Sequence, residues 1–107
     1  MELVGDYLRG YTDTIILSIL EKGDSYGYEI NKTISEFTDG QFSLTEATLY
    51  TSFKRLEQGK YISSYWRKGL NQTRRKYYSI TDRGQQYLKE KRGTWERVKV
   101  LLDKLIR

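Results

Sequence analysis

The sequence contains no cysteine, no histidine and no proline. Without cysteine there is no disulfide framework, no thiolate nucleophile and no zinc knuckle. Without histidine there is no imidazole base, and the commoner metal sites lose their usual ligand. No metal and no cofactor is expected. The absence of proline suits a helical domain better than a loop-rich secreted one. No stretch approaches about 18 consecutive apolar residues, so none is expected to span a bilayer. The opening Met1-Glu2-Leu3-Val4-Gly5-Asp6 has no basic segment ahead of an apolar run. A signal peptide is therefore not expected, and a cytoplasmic location is.

What is abundant is charge. Lysine and arginine number 19 against 14 aspartates and glutamates, a net charge of +5 over 107 residues. That excess favours an anionic partner, either nucleic acid or an acidic membrane. The length is that of one domain, able to bury about two-thirds of its unfolded surface, so a second subunit would help the core. There is no internal repeat and no low-complexity linker.

Glycine punctuates the chain. Ile15, Ile16, Ile19 and Leu20 stripe one helix over about Tyr11 to Lys22, and Gly23 stops it. Asp24 and Ser25 can cap the next helix, on which Tyr26, Ile30, Ile34 and Phe37 recur at helical spacing until Asp39-Gly40 breaks it. A third helix starts at an N-cap, Thr45 or Ser43, carries Leu49, Phe53 and Leu56, and ends at Gly59. Tyr61–Trp66 and Lys76–Ile80 are short runs rich in aromatic and β-branched residues. The basic stretch Arg67–Arg75 between them makes a β-hairpin. Thr81 or Asp82 caps a final helix whose Leu88, Lys91, Trp95, Val98, Leu102 and Leu105 form a two-per-heptad seam. So thin a seam needs something to pack against, and the economical answer is its own copy.

The fold expected is mainly α with a small β-hairpin: a winged helix-turn-helix over 1–80, followed over 81–107 by a C-terminal dimerisation helix packed with the N-terminal helix of the partner. In that architecture the third helix enters the major groove and the hairpin wing lies over the backbone or minor groove. Thr45, Thr48, Ser52 and Arg55 give the third helix a face of hydroxyls and a cation, with Tyr50 and Lys54 on its flank. The plain alternative is a solvated helix face, but such faces carry more Glu and Lys and fewer hydroxyl residues, which form helix poorly. Arg67, Lys68, Arg74, Arg75 and Lys76 fall within ten residues with no acid among them, as phosphate contacts would require. A solubilising loop is the competing explanation, though such loops usually mix signs. Trp66 reads most simply as a strand residue packing on the domain.

Thr45-Glu-Ala-Thr-Leu-Tyr50, then Arg55-Leu-Glu57, Gly59 and Ile62, then Arg74-Arg-Lys-Tyr-Tyr78 and Thr81-Asp82-Arg83-Gly84, resemble the PadR family of bacterial transcriptional regulators. Tyr26-Gly27-Tyr28-Glu29-Ile30 matches that family's second-helix motif, and the resemblance covers nearly the whole chain. The single helix after the wing resembles the small subfamily. Glu46-Ala-Thr-Leu-Tyr-Thr51, Phe53-Lys-Arg-Leu-Glu57, Ile62-Ser-Ser-Tyr-Trp66 and Trp95-x-Arg97-Val98 resemble a lactococcal multidrug-resistance regulator in it. The resemblance implies a homodimeric repressor on a two-fold symmetric double-stranded DNA operator, with Thr45, Thr48, Tyr50 and Lys54 at the operator and the wing cations on the backbone. It also implies a pore between the subunits, where Trp95 and its symmetry mate sandwich a planar aromatic ligand bordered by Tyr7, Tyr11 and Thr14. Where that relative carries an acid one turn after its Trp, this chain has Lys99, which turns the expectation from cationic ligands toward neutral or anionic aromatics. A Trp on an apolar seam is also ordinary dimer core, and both readings of Trp95 can hold together.

An enzyme is not expected: there is no His or Cys, no phosphate-cradling motif, and the acids lie at spacings that i, i+4 ion pairs explain. The remaining alternative is a winged-helix regulator or interaction module with no small-molecule ligand.

Overall fold

The computed structural model describes residues 4–107; Met1 to Leu3, on which part of the leader-peptide reading falls, lie outside the described residues. The elements are α1 (Val4–Leu8), a 3-10 turn (Arg9–Tyr11), α2 (Thr12–Glu21), β1 (Ser25–Tyr26), α3 (Gly27–Phe37), α4 (Glu46–Gln58), β2 (Ile62–Lys68), a 3-10 turn (Leu70–Gln72), β3 (Arg74–Ile80) and α5 (Asp82–Leu105). Among the described residues no helix is long and apolar enough to cross a membrane.

The apolar spacings become the core. Ile16, Leu17 and Leu20 of α2, Ile30 and Ile34 of α3, Leu49, Phe53 and Leu56 of α4, and Ile62 and Tyr78 of the sheet are all buried in one cluster, with Phe42 and Leu44 from the turn before α4. Phe53 stacks on Tyr78 with ring centroids 3.9 Å apart. Burial holds the Tyr78 hydroxyl neutral, its pKa pushed up to about 12. The turn between α3 and α4 begins with Asp39 and Gly40 at positive φ, the conformation that Asp-Gly tolerates. The Asn31 side chain then clamps Leu44, donating to its carbonyl at 2.8 Å and accepting from its N–H at 2.7 Å. That fixes where α4 starts.

Several boundaries differ from the sequence expectation. Ser25 is not a cap. It belongs to β1, which adds a third strand to the hairpin in the order β1-β3-β2, and Tyr26 is the residue before α3. Two residues are too short a run for any periodicity to reveal. α4 does end at Gly59, but the left-handed residue is Lys60 (φ 62), not the glycine. The hairpin strands are longer than expected and pair from Ile62 opposite Ile80 to Lys68 opposite Arg74, so the four cations of the basic stretch lie on strands and not in the loop between them.

The Thr81 side chain caps α5 by accepting from the Gly84 N–H at 3.0 Å. Gly84 is required by close approach: a Cβ there would stand 2.0 Å from the Tyr61 carbonyl oxygen. The first half of α5 packs on this head through Leu88, which is 0 % exposed, and through Tyr87, stacked on Tyr61 at 4.2 Å. Leu88, expected on the dimer seam, is therefore core of its own chain. The second half projects into solvent, leaving Trp95, Leu101, Leu102 and Leu105 exposed.

Candidate nucleic-acid interface

The side that α4 presents to solvent follows from its anchors. With Leu49, Phe53 and Leu56 pointing inward, helical spacing turns Ala47, Tyr50, Thr51 and Lys54 outward, and all four are exposed. Thr45 is the N-cap: its Oγ1 accepts from the Thr48 N–H at 3.2 Å and donates to the Thr48 hydroxyl at 2.9 Å. Thr45 is exposed and Thr48 half-buried, so both stand at the rim of this face.

Two of the residues expected at the base edges make contacts within the chain. Ser52 is 1 % exposed and sits on the inner side of α4, one turn from Leu49 and Leu56, where no base can reach it. Arg55 is engaged by α2. Its Nε and Nη2 each donate to an Asp13 carboxylate oxygen at 2.7 Å, and Nη2 also donates to the Ser52 hydroxyl at 3.2 Å. The Asp13 hydrogen bonds hold the guanidinium pKa above its ordinary value. Sequence spacing set Ser52 and Arg55 in line with Thr45 and Thr48, but that line faces α2. Ala47 and Thr51, which the sequence reading passed over, are found by placing the three apolar anchors on a helical wheel first.

On the wing, directly opposed residues share a face of the sheet. Arg67 opposes Arg75, and Lys68 opposes Arg74. Like charges directly opposite destabilise a pair of strands. Among the described residues no carboxylate pairs with any of these four cations. Three of them lie over aromatic rings instead: Arg67 over Tyr77 at 5.0 Å, Arg75 over Tyr26 at 4.6 Å and Arg74 over Trp66 at 5.2 Å. Stacking of this kind holds a guanidinium in place while leaving its edge free to donate. Lys76 differs, since its Nζ is 3.6 Å from Glu57 of α4.

Trp66 does not pack on the domain. It is 58 % exposed. With Tyr28, Tyr50, Arg74, Arg75 and Lys76 it borders a groove of about 390 Å³ between the wing and the start of α3. Tyr28, absent from the expected site, enters because α3 begins with its aromatic edge toward the wing. The Tyr26–Tyr77–Tyr65 row crosses the opposite face of the sheet, with ring centroids 5.2 and 5.8 Å apart. Tyr65 donates to Asp24 at 2.6 Å, a bond that keeps its proton and raises its pKa.

The residues expected around a ligand are partly gathered. Tyr11, Thr14 and Trp95 line one groove of about 460 Å³ with Asp13, Arg55, Tyr87, Lys91 and Val98, whereas Tyr7 and Lys99 do not line it. Lys99 stands on the Trp95 ring, its Nζ 4.2 Å from the centroid, and pairs with Glu96 at 3.2 Å.

The model of the "Transcriptional regulator PadR-like family" matches residues 16–90, which run from the middle of α2 into the first half of α5. An uncharacterised protein of Lysinibacillus sphaericus is 43% identical over 98 residues, 92% of this chain and 90% of that one. A transcriptional regulator from Clostridium thermocellum superposes with a TM-score of 0.87 at 49% identity, covering 95% of this chain and 99% of that one. A PadR family transcription regulator from Clostridium difficile R20291 superposes with a TM-score of 0.80 at 39% identity, covering 92% of this chain and 100% of that one.

Proposed function

The chain belongs to the PadR-like family of transcriptional regulators, which is not an enzyme family, and from that premise we propose that it is a homodimeric repressor that binds a two-fold symmetric DNA operator. The observation that carries this reading is the pair of opposed cation rungs, Arg67 with Arg75 and Lys68 with Arg74. Their mutual repulsion has no acidic partner within the described residues, and a phosphate backbone would relieve it. Beside the wing, α4 offers Thr45, Thr48, Tyr50, Thr51 and Lys54 to the major groove, where hydroxyl and ammonium donors suit base edges and phosphates. Two copies of α4 would meet half-sites about one helical turn apart.

The test is a titration against a duplex selected from a random library, repeated over a range of salt. Replacing Arg74 and Arg75 by alanine removes two cations, so the slope of log affinity against log salt should fall by about 1.8. An unchanged slope takes the wing off the DNA.

The second half of α5 supports the homodimer, with its partner covering Trp95, Val98, Leu102 and Leu105. The groove beneath Trp95 supports a planar aromatic effector, the class of ligand that the resemblance to the multidrug-resistance regulator implies. Because the Lys99 ammonium already occupies one face of that indole, such an effector must displace it or share it. Neutral or anionic aromatics therefore bind in preference to cations, and Lys99→Asp should raise the affinity for cationic dyes. Trp95 fluorescence in a Trp66→Phe background reads this directly. If Lys99→Asp leaves dye selectivity unchanged, the ligand-free reading, with Trp95 as dimer core, takes its place.

A further inference from the structure

Three features meet at the C-terminal end of α4. The first is the fixed geometry of Arg55, whose planar fork makes two parallel bonds to one carboxylate and a third to Ser52 on its own helix. A bidentate guanidinium–carboxylate contact specifies orientation as well as distance. The second is where Asp13 comes from. It lies in the first turn of α2, a helix rooted in the core by Ile16, Leu17 and Leu20, and is mostly enclosed. The third is the character of the remaining α4 contacts. Leu49, Phe53 and Leu56 set which side of α4 faces the core, and Glu57 ties the helix to Ser64 and Lys76 of the sheet; apolar contacts are non-directional, so the bidentate tie to Asp13 refines the roll of α4 against α2.

Arg55 is also part of a shared wall. On one side is a hollow bordered by Thr48, Thr51 and Ser52 of α4; on the other is the groove that reaches Trp95 and Val98. Arg9, Thr12 and Arg55 line both. A molecule seated beneath Trp95 would lie against the same guanidinium that braces α4.

We propose that Asp13 and Arg55 are positioning residues that set the roll of α4 on DNA, and that neither contacts a base. The proposal rests on the DNA-binding reading. It makes a demand that a direct Arg55–base contact does not. If Arg55 read a base, freeing it by Asp13→Asn would leave operator binding intact or tighten it. If the pair sets the roll, Asp13→Asn weakens operator binding while sequence-independent binding, carried by wing cations remote from α2, is untouched.

The experiment compares two duplexes, one selected from a random library by the unmodified protein and one of the same composition with scrambled sequence. Dissociation constants are measured by fluorescence anisotropy at a temperature where circular dichroism shows every variant folded. Asp13→Asn should cost about tenfold on the selected duplex and less than about twofold on the scrambled one. The exchanged double variant Asp13→Arg with Arg55→Asp should recover most of the lost preference, since it restores the brace with its polarity reversed. A merely destabilised fold would weaken both duplexes together and would not recover on exchange. Undiminished selected-duplex binding by Asp13→Asn, or failure of the exchange to restore preference, overturns the proposal. If the unmodified protein selects no duplex, the DNA-binding reading itself falls, and this proposal falls with it.

Discussion

The two halves of α5 carry one apolar period and meet opposite fates. In the first half Leu88 is sealed in the core, Tyr87 lies flat on Tyr61, and Gly84 lets the helix touch the Tyr61 carbonyl. In the second half Trp95 is 42 % exposed and Leu105 77 % exposed, and the ion pair Lys99–Glu96 closes back on the same helix. The period dictates which face of a helix is apolar. It carries nothing about what covers that face, because intrachain and interchain burial select the same residues. What separates the halves is the small residue at position 84, which admits close backbone approach, and the arginine at 92, which reaches across to α2.

The largest expected effect tests that division. Leu88→Ala should destabilise the folded head by about 2–5 kcal/mol, as removal of a fully enclosed leucine does. Leu102→Asp should leave the head folded, with thermal melting of the DNA-binding region little changed at low concentration, while sedimentation shows a smaller species than the unmodified chain. A Leu102→Asp protein that loses its near-UV circular dichroism together with its assembly would mean that the second half is part of the head after all.

The two α5 glycines sharpen the contrast at a smaller scale. A methyl at Gly84 would overlap the Tyr61 carbonyl and crowd Ile80, so Gly84→Ala should cost about 1–3 kcal/mol in chemical denaturation. Nothing lies within 4 Å of a methyl at Gly93, so Gly93→Ala should gain about 0.5–1 kcal/mol from helix propensity alone. A loss at Gly93 instead would place a second helix in close approach there.

Much of the fold was legible for the same reason that the two halves of α5 look alike. Apolar spacing located α2, α3, α4 and α5, and cap signals narrowed the starts of two of them to a pair of candidates each, from which the structure takes Thr45 over Ser43 and Thr81 over Asp82, because these signals act within one turn of the chain. The β-hairpin was legible from its aromatic and β-branched runs. Less of the interface was legible. The outward side of α4 was set a quarter-turn off because Ser52 and Arg55 look like a recognition face until Asp13, forty-two residues away in the chain, claims the arginine. Lys76 was counted among the free cations of the wing until Glu57 met it. β1 left no trace in any local pattern. For Ser52, Arg55 and Lys76 a tertiary contact overrides a local pattern, and the sequence does not name a polar residue's partner.

The smallest expected effect concerns the ties that hold each half of α5. Arg92 donates to the Ser18 hydroxyl at 3.1 Å and lies 2.9 Å from Glu21, so it links α5 to α2. The Arg92 hydrogen bond lowers the Glu21 pKa below its ordinary 4.5, with the Arg92 and Lys22 charges acting the same way. A carboxyl whose pKa is lower in the folded than in the unfolded state contributes stability above the unfolded value and loses it as pH falls through the folded one. Both side chains are well solvated, so Arg92→Ala should cost no more than about 1 kcal/mol near neutral pH. That difference from the unmodified protein should shrink steadily below about pH 4. Lys99→Ala, which breaks a pair between two residues of one solvated helical turn, should leave head stability unchanged at any pH. Urea denaturation of both variants across that range separates a tie between elements from a tie within one. A pH-independent cost for Arg92→Ala would assign the link to Ser18 and to packing rather than to charge.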